Sequence, residues 1–312
     1  MSWRPLATIE TIRQRARIYR EIRAFFEHRD VCEVQTPLLS RFTNPDPQVA
    51  SMMAFNQEQS LYLQTSPEFA MKRLLAAGSG SIYQICHAFR EGERGRRHNP
   101  EFTLLEWYRV GFDYQVLMDE IELLIDDLSG KANIYRRIGY RDLLIEYAGI
   151  DFLNIELIHL REACGDLVSG TNASQLDFDQ CLDLLISLVV SPKLKGYLFV
   201  YDYPISQAAL ARANNKNPLL AERFELFYGD LELANGFTEL TDVSQQRSRF
   251  VQDNAHRVSK GMPQYPIDEQ LLGALESGMP DCAGVAIGLD RLLMVLLELD
   301  SIDESLSFSE QG

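Results

Sequence analysis

Cysteine is sparse and unpaired in this chain of 312 residues. There are five, Cys32, Cys86, Cys164, Cys181 and Cys282, widely spaced and never as CxxC. An odd, scattered set argues against a disulfide framework or a cysteine–zinc cluster and for a reducing cytoplasm. No apolar run approaches the ~18 residues that would span a membrane. The opening MSWRPLATIETIRQRAR lacks the apolar core of a secretory signal. Positive charge is also short. Thirty Lys and Arg face 45 Asp and Glu, a net charge of −15. Such a surface has no general affinity for nucleic acid, although local basic patches remain possible. The two familiar phosphate-binding loops, GxxxxGK[ST] and a GxGxxG after a strand, are absent. So are internal repeats, low-complexity tracts and Pro/Gly/Ser-rich linkers. What remains is an ordinary globular composition, 46% hydrophobic, in which 1–312 reads as one large domain.

The most informative stretch is Cys86 to Tyr108. Ser81 to Arg90 alternates in the manner of a strand. Phe102, Leu104, Glu106 and Tyr108 then share one face of a second strand, because strand side chains repeat every two residues. Between them lies EGERGRRHNP, too long for a tight turn. It is either a solvated hairpin tip or a mobile or binding loop. Arg90 sits at its root, and Arg94, Arg96, Arg97 and His98 lie within it. Arginine forks suit phosphoryl oxygens, and so a polyphosphate. Glu106 is a carboxylate on an otherwise apolar strand. Burial would oblige it to meet a cation, either an arginine of the chain or a ligand amine.

Other stretches carry comparable chemistry. Thr8 to Asp30 has helical periodicity, with Thr8 or Thr11 as cap. A strand, Val31 to Thr36, stops at Pro37. After a strand at Leu61 to Gln64, Ser66-Pro67-Glu68 opens a helix that ends at Gly78, with Ser66 as N-cap and Pro67 in the first turn. A well-capped helix explains these residues. Alternatively Glu68 binds an ammonium group. Asp113 to Leu128 and Asp179 to Val190 read as helices, and Tyr197 to Tyr203 as a strand. Phe224 to Tyr228, a turn at Gly229-Asp230, and a strand from Leu231 through Glu239 form a hairpin. It carries Glu232 and Glu239. Two carboxylates facing a polyphosphate would require magnesium between them. Otherwise they lie on a solvated edge. Cys282 to Leu299 reads as strand, turn, helix. There Gly284 and Gly288 would admit a flat ligand such as adenine. Asp290 could cap the helix, and Arg291 in its first turn would hold phosphate.

Phe89-Arg90, the charged loop and His98-Asn99-Pro100-Glu101-Phe102 resemble motif 2 of class II aminoacyl-tRNA synthetases. Helix, strand and Pro37 resemble motif 1, and Gly284-x-Ala286-x-Gly288-x-Asp290-Arg291 resembles motif 3. Thr103 to Tyr108 and Glu232-Leu233-Ala234-Asn235-Gly236-Phe237-Thr238-Glu239 are similar to the lysine-specific branch. The resemblance implies an α+β fold, an antiparallel sheet flanked by helices, with 130–215 as a variable insertion. It implies a homodimer through the N-terminal helix and strand. ATP would be held by Arg90, Glu91, Gly92, Glu93, His98, Asn99, Phe102, Glu232, Leu233, Gly288 and Arg291. Arg90 and Arg291 would be catalytic, and Mg2+ would lie on Glu232 and Glu239. The amino acid would lie among Ser66, Pro67, Glu68, Glu106, Tyr108, Asn235, Phe237, Glu239 and Ala286.

Three features depart from the synthetase pattern. The chain opens on the motif 1 helix, so no OB-fold anticodon-binding domain is expected, and tRNA is not the expected acceptor. Ala286 replaces a glycine, and its methyl would crowd the α-amine of ordinary lysine while admitting an isomer. Gly92 stands where motif 2 usually has an acid, with Glu91 and Glu93 on either side. The adenine contact then falls to one of those acids or to backbone groups of Glu91 to Glu93. The first two departures resemble the bacterial elongation factor P–(R)-β-lysine ligases. That resemblance implies (R)-β-lysine as substrate and elongation factor P as its protein acceptor.

Overall fold

The computed structural model describes residues 3–55, 60–165, 167 and 173–309. Thr8 starts the first helix, its Oγ1 accepting from the Thr11 N–H at 3.0 Å. That helix, α1, runs Ile9–Glu27 and buries Ile18, Ile22, Phe25 and Phe26; of the face expected from spacing, Ile22 and Phe26 are buried, Ile12 and Tyr19 half-buried and Ala16 exposed. Strands β1 (Cys32–Glu33), β2 (Leu39–Ser40), β3 (Met53–Phe55) and β4 (Ser60–Leu63) precede α2 (Glu68–Ala76). Next come β5 (Ile82–Phe89), β6 (Glu101–Val110) and α3 (Tyr114–Ser129). They are followed by β7 (Tyr135–Gly139), α4 (Tyr140–Ala148), α5 (Leu157–Gly165), α6 (Phe178–Leu185), β8 (Tyr197–Pro204), β9 (Leu220–Tyr228) and β10 (Leu231–Thr238). The chain ends with α7 (Val243–Ser259), α8 (Glu269–Gly278), β11 (Cys282–Gly288) and α9 (Leu289–Leu296).

These elements make two compact units, one of Met1–Ala132 with Thr238–Gly312, the other Asn133–Phe237. In the first, β1 runs parallel to β5, β5 antiparallel to β6, and β6 antiparallel to β11. The register brings Ala88 opposite Phe102, and Leu104 opposite Gly288. The end of β5, the start of β6 and the end of β11 therefore lie together. Phe26 of α1 seals one face, stacking on Tyr83 at 4.4 Å and meeting Trp107 edge-on at 5.4 Å. A small sheet of β2, β4 and β3 completes this unit. β1 is shorter than the Val31 to Thr36 strand expected: Cys32 and Glu33 stand opposite Ile82 and Tyr83, and the last bond of the ladder is the Val34 N–H donated to the Tyr83 carbonyl at 2.8 Å.

The second unit pairs β7 with β8 in parallel, and β8 with β9 and β9 with β10 antiparallel. Its core gathers Leu143, Leu144, Leu160, Leu182, Leu198 and Val200. The expected insertion 130–215 thus supplies most of a unit with its own core. The sheet is antiparallel apart from one parallel pair in each unit. The helix expected over Asp179 to Val190 is α6 followed by a wider π-type turn, Ile186–Val190. Pro192, without an N–H, ends the run in a short 3-10 turn.

Candidate active site

β6 lines up the site. Phe102, Glu106 and Tyr108 lie along one face, and Ala286 and Gly284 of β11 stand directly opposite Glu106 and Tyr108. Glu106 is buried. Its Oε1 accepts from the Tyr108 hydroxyl at 2.7 Å and its Oε2 from the Ser66 hydroxyl at 2.8 Å. Ser66 also accepts from the Glu68 N–H at 3.0 Å. Pro67, rather than Ser66, occupies the cap position of α2. The serine hydroxyl is therefore shared between the helix start and the buried acid. Two further carboxylates converge here. Lys72 Nζ lies 2.7 Å from Glu68 Oε1 and 2.5 Å from Glu239 Oε2. Lys72 and Glu239 are both buried, at 2% and 1% exposure. Among the described residues Glu239 Oε1 has no hydrogen-bond partner.

Electrostatics follow from this crowding. Burial, then the nearby Glu68 charge, pushes Glu106 up to about 7. Burial raises the Glu239 carboxyl as well, and the Lys72 ammonium is the main influence working against it. Lys72 loses hydration, but Glu239 and Glu68 more than restore its charge. Glu68 and Glu239 share the Lys72 ammonium, and Glu106 beside them is held by two neutral hydroxyls, so the cluster favours a cationic guest.

The basic end lies where β5 leaves the sheet. Arg90 sits over the Phe102 ring at 5.0 Å and reaches Glu93 Oε1 at 3.4 Å. Its Nε is buried without a partner. Arg291, in the first turn of α9, donates from Nε to the Arg97 carbonyl at 3.2 Å. Since β5 and β11 finish at the same edge, both arginines belong to one end of the β6 face. A cleft of about 270 Å3 opens under the loop, lined by Arg94, Arg96, His98, Asn99, Asp303 and Ser309.

Comparison with known proteins gives the family. The family of class II tRNA synthetases (D, K and N) matches residues 1–312. A protein of Vibrio atlanticus named elongation factor P–(R)-β-lysine ligase is 45% identical, over 98% of both chains. Its namesake in Vibrio cholerae is 44% identical, over 98% of this chain and 97% of its own. That of Pasteurella multocida is 45% identical over the same shares. The chain belongs to the class II tRNA synthetase family. These three relatives are named as ligases, and the chain is an enzyme of that kind.

Several expected residues of this class II enzyme take other parts. Asp290 does not cap α9. Its carboxylate accepts from the Thr103 N–H at 2.7 Å and from Arg15 Nη1 at 2.6 Å, fixing the helix that carries Arg291 to β6 and α1. Gly284 makes room for protein rather than adenine. A Cβ there would fall 2.4 Å from Tyr108 Cε1 and 2.5 Å from Glu239 Oε1. A Cβ on Gly288 would meet only Arg291 atoms, at 3.8 Å or beyond. The Glu91 N–H is already donated to the Ala50 carbonyl at 2.9 Å, so it does not serve adenine. Its side chain is exposed, and Gly92 turns with φ of 81°. Asn99 is buried and donates to the Glu101 carbonyl at 2.5 Å, holding the loop's base, while His98 is exposed. The phenyl ring of Phe102 supports Arg90. Glu239, expected on magnesium, has its carboxylate on Lys72.

Glu232, Leu233, Asn235 and Phe237 lie in the second unit, on β10. Leu233 is buried at 2% exposure, which leaves its backbone, not its side chain, for any ligand. Phe237 rests against buried Ala208, Ala211 and Ala221. Arg223 donates to Asn235 Oδ1 at 3.2 Å and to Glu225 Oε1 at 2.5 Å. Among the described residues no three acids, histidines or cysteines converge as a ready-made metal site.

Sequence reasoning missed Lys72 and the C-terminal segment. Lys72 stands four residues after Glu68 on a helix, which reads as an ordinary surface pair. The Ile302 N–H donates to the Arg96 carbonyl at 2.9 Å, tying the chain's last turn to the basic loop. Neither was flagged by any local pattern.

Proposed function

We propose that the enzyme activates (R)-β-lysine with ATP and transfers it to the ε-amine of one lysine on elongation factor P. The observation that carries this reading is the convergence of buried Glu106 and Glu239 with half-buried Glu68, where Lys72 meets Glu68 and Glu239 while the Tyr108 and Ser66 hydroxyls hold Glu106. A diamino acid supplies two further cations. Ala286 stands beside Glu106, where a glycine would leave room for an α-amine. One carbon of misfit is worth about 1–3 kcal/mol, or roughly 10–200-fold in preference.

In the first step a carboxylate oxygen attacks the α-phosphorus of ATP. The bond to the bridging oxygen breaks, and pyrophosphate leaves. Arg90, with its buried Nε available and its plane set by Phe102, stabilises charge on the α-phosphoryl oxygens. Arg291 and the loop cations take the departing phosphates. In the second step a neutral lysine nitrogen attacks the acyl carbon. The carbon–oxygen bond to AMP breaks, and the amine sheds its proton to leave an amide.

Magnesium binds through one or two carboxylates plus phosphate oxygens and water. This fits the described residues, among which no closed acidic cage is found. Glu232 is the carboxylate assigned to it, and the ion would supply Lewis-acid charge neutralisation on the nucleotide. Among the described residues no helix is long and apolar enough to cross a membrane, and we place the reaction in the cytoplasm. A homodimer through α1 and β1 belongs to the same reading.

The test is incubation with ATP, (R)-β-lysine and elongation factor P, followed by intact mass. A mass gain of one lysyl residue on the factor is expected, with α-lysine and total tRNA as weaker partners. Labelled α-lysine appearing on tRNA instead, with the factor unchanged, would refute it.

A further inference from the structure

Lys72 has no place in the chemistry above, yet its surroundings are too specific for a simple structural ion pair. It is the only lysine among the residues under 2% or at 2% exposed in the described core. It descends from α2 beside buried Met71 and Leu75. Its Nζ meets Glu68 of its own helix at 2.7 Å and Glu239, which follows β10, at 2.5 Å. Both acids belong to the cluster read above as the diamino acid pocket. Glu239 is used on one side only. Oε2 is ion-paired with the lysine, whereas Oε1 lies over Gly284, beside the Tyr108 ring, with neither an ion-pair nor a hydrogen-bond partner among the described residues. A buried carboxylate oxygen without a donor is costly and is explained most directly by a cation that arrives with a ligand.

We infer that Lys72 is a positioning residue for diamino acid binding, holding Glu68 and Glu239 in place as charged acceptors and setting the charge of the pocket. With all three carboxylates ionised around the guest, one ammonium leaves two negative charges, the complement of the two ammonium groups that a diamino acid brings. Without Lys72 the trio is one charge in excess, and Glu239 is relieved by taking up a proton. Glu68 on α2, Glu106 and Tyr108 on β6, Cys86 on β5 and Cys282 on β11 also face this cluster, and Arg73 and Asp268 line its approach. Among them only Lys72 brings positive charge to Glu239 directly. The role rests on the proposed function in taking the trio as the amine site, but not on the identity of the acyl acceptor.

The experiment is calorimetric titration of wild type, K72M and K72M/E239Q with (R)-β-lysine, α-lysine and ATP. Buffers of different ionisation enthalpy report the protons released. In K72M, diamino acid affinity should fall about 30-fold or more, since a buried charge has lost its partner. ATP affinity should stay within about twofold, and binding should release up to about one further proton as Glu239 is forced to ionise. K72M/E239Q strands no carboxylate and guards against a misfolded single variant. It should bind ATP, bind diamino acids weakly, and lose the extra proton release. A K72M enzyme with wild-type diamino acid affinity and proton release would overturn the inference, as would equal losses for ATP and amino acid. If wild type binds diamino acids in a Lys72-dependent way but leaves elongation factor P unmodified, the proposed function fails and this role stands. If wild type binds neither diamino acid, both fail.

Discussion

Replacing Gly284 by alanine tests the site at its tightest point. The added methyl would sit 2.4 Å from Tyr108 Cε1 and 2.5 Å from Glu239 Oε1. Neither neighbour can step aside freely. Tyr108 is 2% exposed and its hydroxyl donates to Glu106 at 2.7 Å; Glu239 is 1% exposed and held 2.5 Å from Lys72. The strand cannot easily retreat, being paired with β6 along its length, while its Cys282 carbonyl accepts from the Glu239 N–H at 3.0 Å. Overpacking of this kind costs about 1–3 kcal/mol. If Tyr108 yields instead, a hydrogen bond to a charged group goes, worth about 1.5–3 kcal/mol. Either route removes a large share of the ~5–15 kcal/mol that typically holds a domain together. Whatever distortion remains falls on the acids, so diamino acid affinity should drop about 10–100-fold, at ~1.4 kcal/mol per decade, and ATP affinity should not. Urea denaturation and amino-acid-dependent pyrophosphate exchange measure the two effects. G288A is the control for the urea measurement alone, because its methyl meets nothing closer than 3.8 Å. A G284A enzyme with wild-type midpoint and KM would show that the packing of β11 against Tyr108 and Glu239 is not as described.

Other outcomes follow from the same geometry. R90A and R291A should each abolish amino-acid-dependent pyrophosphate exchange; near-normal exchange in both would remove these arginines from adenylate formation. A286G should improve use of α-lysine by about 10-fold or more, read as a ratio of kcat/KM for the two isomers; an unchanged ratio would end the specificity role of the methyl. Glu106 makes stability and ligand binding depend on pH. Its carboxyl is raised from 4.5 to about 7, so the folded chain holds this proton more tightly than the unfolded chain. That contribution is complete below pH 4.5 and disappears as pH rises through 7, at most about 3 kcal/mol. A diamino acid offsets the charge that appears. The rise in Tm on adding (R)-β-lysine should therefore be larger at pH 8 than at pH 5, and an equal rise at both would contradict the burial of Glu106 beside Glu68.

The parts of this site that could be read in advance are those whose logic is local. Thr8 announces α1 because a hydroxyl cap acts within one turn. Glu106 and Tyr108 fall on one face because strand periodicity needs no partner. Arg291 falls in the first turn of a helix, as the strand-turn-helix pattern of its segment indicates. The parts that could not be read depend on register and on distant segments. Gly284 looked like space for a ligand. Only the pairing of β11 with β6 shows that the space belongs to Tyr108 and to Glu239, which the intervening chain delivers from far along the sequence. Asp290 looked like a cap for the same reason: nothing local reveals that Arg15 and Thr103 claim it first. Lys72 is the sharpest case. Beside Glu68 at helical spacing it has the signature of an exposed pair worth a few tenths of a kcal/mol; burial converts the same two residues, with Glu239 added, into a strongly coupled triad. Spacing therefore identifies which charges can meet, but burial decides what their meeting does, and in this fold burial is settled by contacts between segments that no local pattern links.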